Sequence, residues 1–250
     1  MLANHIIRGM AAAGALLLMT TMVGVKGIPA QAPAPAKYKQ EGFFAGGREL
    51  PGAMLTGIRF GKHRDFLRIV FDLGVERDGK VVGAPFHPPY KIEYLRYPYR
   101  FRVTFKGAKY APNAKVETAQ ALPLTVVTTA DDTIKVIELF VNRPAVFKVI
   151  EIDNPAKLAL DVKERVDEEI PRVYAVQLQG VDDVESAFGL VEDSAFPPDY
   201  RPDILVLGNT VFVEAVYFTL EEAARVAGKL EKAGFTTLVS ERQGNELPRH

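Results

Sequence analysis

Residues Tyr90–Lys106 read YKIEYLRYPYRFRVTFK, and Phe147–Lys163 read FKVIEIDNPAKLALDVK, 57 positions further on. At that offset Tyr90-Lys91-Ile92 meets Phe147-Lys148-Val149, Pro98 meets Pro155, and Arg100 meets Lys157. Phe101 and Val103 likewise meet Leu158 and Leu160. Upstream, Arg68–Leu73 (RIVFDL) resembles Lys135–Phe140 (KVIELF) at a slightly different offset. Each half therefore reads strand, strand, loop, strand, proline turn, strand. Working outward, strand signals fall at Leu55–Phe60, Leu67–Leu73, Lys91–Tyr97, Arg100–Lys106, Leu124–Thr129, Ile134–Val141, Val146–Ile152 and Leu158–Val162. They are short, rich in Val, Ile, Phe and Tyr, and divided by Gly, Pro, Asn or Asp, with no amphipathic helix between them. Two similar halves predict an all-β sandwich over 54–163, its pseudo-twofold sheets packed through their apolar faces.

Period-2 alternation sorts the side chains onto two faces. Phe101, Val103 and Phe105 point one way; Arg100, Arg102, Thr104 and Lys106 point the other. Arg68 and Asp72 alternate with Ile69 and Phe71, and Lys157 and Asp161 alternate with Leu158 and Leu160. The polar face thus carries bases in both halves, with Tyr90, Tyr94, Tyr97 and Tyr99 nearby. Arg forks bind carboxylates, and aromatic rings stack on the C–H faces of sugars.

The pattern changes after Lys163. The charged stretch 164–171 reads as a linker ending in Pro171. Val173–Gln179 alternates as a strand, Asp182 or Asp183 can cap a helix, and Phe196-Pro197-Pro198 stops it. Asp203–Leu207 and Thr210–Val216 read as strands about a Gly208-Asn209 turn. Thr219–Glu222 is a capping box before Leu220, Ala223, Ala227 and Leu230. Gly234 ends that helix, and Phe235–Ser240 is a last strand. The expectation is a mixed two-domain chain: the sandwich, then a βαββαβ, ferredoxin-like α+β domain over 172–243, with 244–250 as a tail.

At the other end, Arg8 precedes an uncharged run from Met10 to Val25, rich in Ala, Leu and Met. That is the layout of a secretory signal peptide or short anchor over 1–36, so export to the periplasm or cell envelope is expected. Residues 37–53, rich in Gly and Pro, read as a flexible tether, with Phe43-Phe44 expected to dock on the following domain.

Lys+Arg and Asp+Glu are each 31, yet 54–163 carries 18 bases against 12 acids and 164–250 carries 8 against 17. Oppositely charged blocks suggest separate units, and neither is basic enough to make nucleic acid the default partner. The chain has no Cys, which excludes disulfides, thiolate metal sites and a thiol nucleophile. His5, His63, His87 and His250 are too scattered for a metal pair. Asp131-Asp132 and Asp182-Asp183 sit at turns or caps, and no nucleophile or phosphate-loop motif is present. No cofactor is implied, and a non-enzyme is expected.

The run LTGIRF…LRIVFDL…YKIEYL…PYRFRV, with NPAKLALDV at Asn154–Val162, resembles the AMIN domain of exported cell-wall amidases and some secretins. The resemblance implies paired four-stranded sheets and targeting to peptidoglycan. The later block, with VQL at Val176–Leu178 and EEAARVAGKL at Glu221–Leu230, resembles a SPOR domain. That family binds glycan strands across an open sheet face, which implies contacts from Gln177 and Tyr217. Gln179-Gly180-Val181 and the acidic Glu214 depart from its usual pattern.

The expectation is therefore a non-catalytic envelope protein that binds peptidoglycan through two modules and localises or scaffolds wall and division machinery, with a cell-wall amidase as a possible protein partner. On the sandwich the expected contacts are Arg68, Tyr99, Arg100, Arg102 and Lys157. The alternative is an envelope protein-interaction module without glycan binding.

Overall fold

The computed structural model describes residues 37–117, 122–129 and 131–249. The chain divides after Pro35, and every described residue belongs to the second unit. The expected leader, 1–36, lies outside the described residues.

Eleven strands come first: β1 Gly42–Gly46, β2 Ala53–Lys62, β3 Leu67–Arg77, β4 Lys80–Gly83, β5 Tyr90–Leu95, β6 Arg100–Phe105, β7 Lys109–Val116, β8 Leu124–Thr128, β9 Ile134–Phe140, β10 Ala145–Ile152 and β11 Lys157–Glu164. They form two facing sheets. Sheet A has the order β10-β11-β3-β2-β7, with β4 on β3, and sheet B the order β1-β5-β6-β9-β8. Alternation dictates what lies between them. Ile69, Phe71, Leu158 and Leu160 of sheet A and Ile92, Phe101, Val103 and Phe105 of sheet B are all fully buried in one cluster. Phe71 meets Phe105 edge-on at 5.7 Å and Phe101 meets Phe147 at 5.2 Å, so aromatic rings lock the layers. Each such ring contributes roughly 1.5–3 kcal/mol. The two proline turns share a backbone: the bonds before Pro98 and Pro155 are cis, and Tyr97 and Asn154 have φ of 63° and 53°.

Then come β12 Arg172–Leu178, α1 Val184–Asp193, β13 Asp203–Leu207, β14 Thr210–Tyr217, α2 Leu220–Lys232 and β15 Thr237–Gln243. The strands pair antiparallel as sheet C, in the order β13-β14-β12-β15. Asp183 caps α1 by accepting from Ser186 N at 2.8 Å, and Thr219 caps α2 by accepting from Glu222 N at 3.2 Å. Val176, Ile204, Val206 and Val213 pack with Ala187, Ala223, Val226 and Leu230 of the helices.

The expected fold class, a mixed two-domain chain with a ferredoxin-like α+β second domain, is overturned. Among the described residues sheet predominates: strand makes up 51% and helix 11%, in three sheets with two helices. The helical period holds over only 10 and 13 residues, and the remaining pattern alternates with period two. Nor does sheet C leave its far face open. Phe140 of β9 is buried with Leu205 and Phe212, and Gly208 N donates to Thr125 Oγ1 of β8 at 3.1 Å. Sheet C therefore stacks on the outer side of sheet B.

Residues 37–53, read as a tether, are built in. β1 pairs along β5, and Phe44 meets Phe147 edge-on at 5.6 Å. After β15, Gly244 N donates to Pro171 O at 2.8 Å, tying the tail to the linker.

Candidate functional site

The outer faces of sheets A and B both carry bases, and they have different fates. On sheet A the register places Asp161 opposite Arg68, Ala159 opposite Val70, and Lys157 opposite Asp72. Arg68 donates to Asp161 through Nε at 2.6 Å and Nη2 at 2.8 Å, and Lys148 Nζ lies 3.4 Å from the same carboxylate. Arg59 grips Asp72 through Nε at 2.6 Å and Nη2 at 2.9 Å, with Lys157 Nζ at 3.8 Å. Exchanging the Arg68/Asp72 pair of β3 with the Lys157/Asp161 pair of β11 maps one half of this ladder onto the other. The local twofold passes between Val70 and Ala159.

Asp161 is fully buried, whereas the bases Arg59, Arg68 and Lys157 stay 44%, 31% and 35% exposed. The ladder thus has a sunken acidic floor and a basic surface of four cations against two carboxylates. Phe66 lies 5.4 Å from the Arg68 guanidinium, and the Tyr38 ring lies 5.1 Å from Lys148 Nζ. Burial and the Asp161 charge push the Tyr38 hydroxyl up, so it is a neutral donor at neutral pH. Hydrogen bonding to Asp161 raises the Arg68 guanidinium further. This surface can offer guanidinium and ammonium donors to carboxylates or phosphates beside aromatic rims.

Sheet B is different, and here the expected exposed sites are corrected. Arg100 is 1% exposed, and Arg102 is mostly covered. Arg100 Nε lies 3.0 Å from Glu138 Oε2, and Arg102 Nε donates to Glu138 Oε1 at 2.7 Å. From sheet C, Asp203 accepts from Arg100 Nη2 and, at 2.8 Å, from Arg102 Nη1. The alternation was right; what it could not reveal was the layer above. Burial raises the Glu138 carboxyl, whereas the two arginines outweigh burial at Asp203 and lower it.

The remaining expected contacts also move. Tyr99 is 1% exposed inside the sandwich beside Tyr94, where burial pushes its hydroxyl far up. Tyr90 is buried too and donates to Glu151 at 2.8 Å. Gln177 is 2% exposed in sheet C, opposite Glu214. Glu214 itself pairs with Arg242, whose Nη2 also donates to Tyr97 O at 3.3 Å. Tyr217 donates to Asp199 O at 2.9 Å, and burial pushes its hydroxyl to about 12. Of the seven expected contacts, Arg68 and Lys157 come together on one open face.

Sequence reasoning missed Arg59, Lys148, Tyr38 and Phe66. Alternation in GIRFG and FKVIEI does place Arg59 and Lys148 on polar faces. Only the β10-β11-β3-β2 neighbourhood shows that these faces are one. The paired acids serve local turns: Asp131 accepts from Thr129 and Thr133 hydroxyls, which hold it at about 2, and Asp183 is the α1 cap. No family model, curated protein or solved structure matches the chain, so its likeness to AMIN and SPOR domains rests on the motifs quoted above.

Proposed function

We propose that the protein is a non-catalytic component of the cell envelope that binds peptidoglycan through the outer face of sheet A and holds wall machinery in place. The observation that supports this reading is the open ladder of Arg59, Arg68, Lys148 and Lys157, with Tyr38 and Phe66 at its rim. Peptidoglycan presents carboxylates on its peptides and C–H faces on its sugars, which suit that mixture. The test is co-sedimentation of the protein with purified sacculi. Wild type is expected to pellet, and Arg68→Ser/Lys148→Ser/Lys157→Ser to stay largely in the supernatant. With contacts of roughly 0.5–1 kcal/mol each, the triple variant should bind about tenfold to a hundredfold more weakly. Equal pelleting of the two folded proteins would refute the assignment.

A second reading is an envelope protein-interaction module. It is favoured by sheet C, whose Gln177 and Glu214 face is buried and not offered to a glycan strand. A wild-type protein that ignores sacculi would move the assignment there.

A further inference from the structure

Where β6 meets β13, the seam between sheets B and C brings four charges together, and they are not equivalent. Arg100 and Arg102 are fixed by the sandwich itself. Arg100 Nη1 donates to Pro98 O at 3.1 Å and its Nε faces Glu138 Oε2 at 3.0 Å. Arg102 Nε donates to Glu138 Oε1 at 2.7 Å. Glu138 is fully buried on β9, directly opposite Arg102. These contacts need nothing from sheet C. They turn Arg100 Nη2 and both Nη groups of Arg102 towards sheet C, where Arg102 Nη2 donates to Ile204 O, and Glu138 neutralises only one of the two positive charges.

The outward position is taken by Asp203, at the start of edge strand β13. Each of its oxygens meets one guanidinium, Oδ1 with Arg102 and Oδ2 with Arg100. Its side chain is still 35% exposed, so the mouth of the fork reaches solvent. A prefixed pair of donors with one unbalanced positive charge, filled by a carboxylate from another layer, is the geometry of an anion receptor.

We infer that Arg100 and Arg102 form a carboxylate-binding site whose occupant in this conformation is the chain's own Asp203. Sheet C is therefore an internal ligand of the sandwich. Without the Asp203 carboxylate, a small free carboxylate takes the same fork. This inference stands apart from the wall reading, because it concerns the covered face and not the open one.

The test is chemical rescue in the full-length protein. Asp203→Ala empties the fork, and the melting temperature should fall by about 5–10 °C. Sodium acetate or formate should restore at least half of that loss saturably, while sodium chloride at equal ionic strength should not. If Asp203→Ala is unfolded, refolding in acetate but not in chloride, followed by circular dichroism, is the same readout. Asp203→Asn, which keeps the fork filled with a neutral group of the same shape, should show no acetate-specific gain. Recovery in chloride as large as in acetate, no recovery in either, or equal acetate gains in Asp203→Asn would each overturn the assignment.

Discussion

At the scale of single residues, two arginines on opposite outer faces of the two-sheet sandwich do opposite work. Arg100 is enclosed by Glu138 and Asp203, so Arg100→Ser leaves two carboxylates, one of them fully buried, to share Arg102 alone and should cost about 3–5 kcal/mol. Arg68→Ser removes a part-exposed base and leaves Lys148 3.4 Å from the buried Asp161 carboxylate, so the cost should be smaller, about 1 kcal/mol. Urea denaturation of the two variants checks this, and equal losses would contradict it. Asp199 gives a pH signature. Hydrogen bonds from Lys229 and Arg225 hold it at about 2. Its folded pKa lies below the usual aspartate value of about 3.9, so its contribution is present above that value and is lost as pH falls towards 2. Carboxyl-carbon chemical shifts should titrate there, and a midpoint near the ordinary value would contradict the contact with α2.

At the scale of elements, the strand positions and helix caps were legible because both rest on local rules. Period-2 alternation placed Phe101 and Val103 inward, and the T-x-x-E box placed the α2 cap at Thr219. Thr219→Ala should cost about 1 kcal/mol and leave the sandwich unchanged. The elements that escaped notice were those without a local signature. β1 was hidden in a Gly-rich stretch read as a tether. Gly47, just after it, has a φ of +80°, and a Cβ there would lie 2.1 Å from Pro88 O. Glycine serves here to let the chain press against the β5 approach, not to make it loose. Gly47→Ala, or deletion of 37–46, should therefore lower the sandwich's melting temperature. A deletion without effect would return the segment to a tether.

At the scale of the molecule, the sequence carried one long-range trace of the seam. Residues 54–163 are net +6 and 164–250 net −9. That asymmetry suggested separate units, and it is instead partly spent where β6 meets β13. The open half of the candidate site was legible as Arg68 and Lys157. The closed half was misread, because no local rule says which polar face another layer will cover 101 residues later in the chain. Sheet C covers the outer face of sheet B, and the proposed wall contact lies on sheet A.

The chain has no cysteine, so a seam lock can be engineered cleanly. Thr125→Cys with Gly208→Cys puts one cysteine on each side of the seam, next to the point where Gly208 N donates to Thr125 Oγ1 at 3.1 Å. The decisive measurement is sacculus co-sedimentation of this variant, oxidised and reduced. The fraction that forms the disulfide should pellet as well as the reduced protein, because the open face is untouched. Pelleting that disappears on oxidation and returns on reduction would place the wall contact under the seam and contradict its assignment to sheet A.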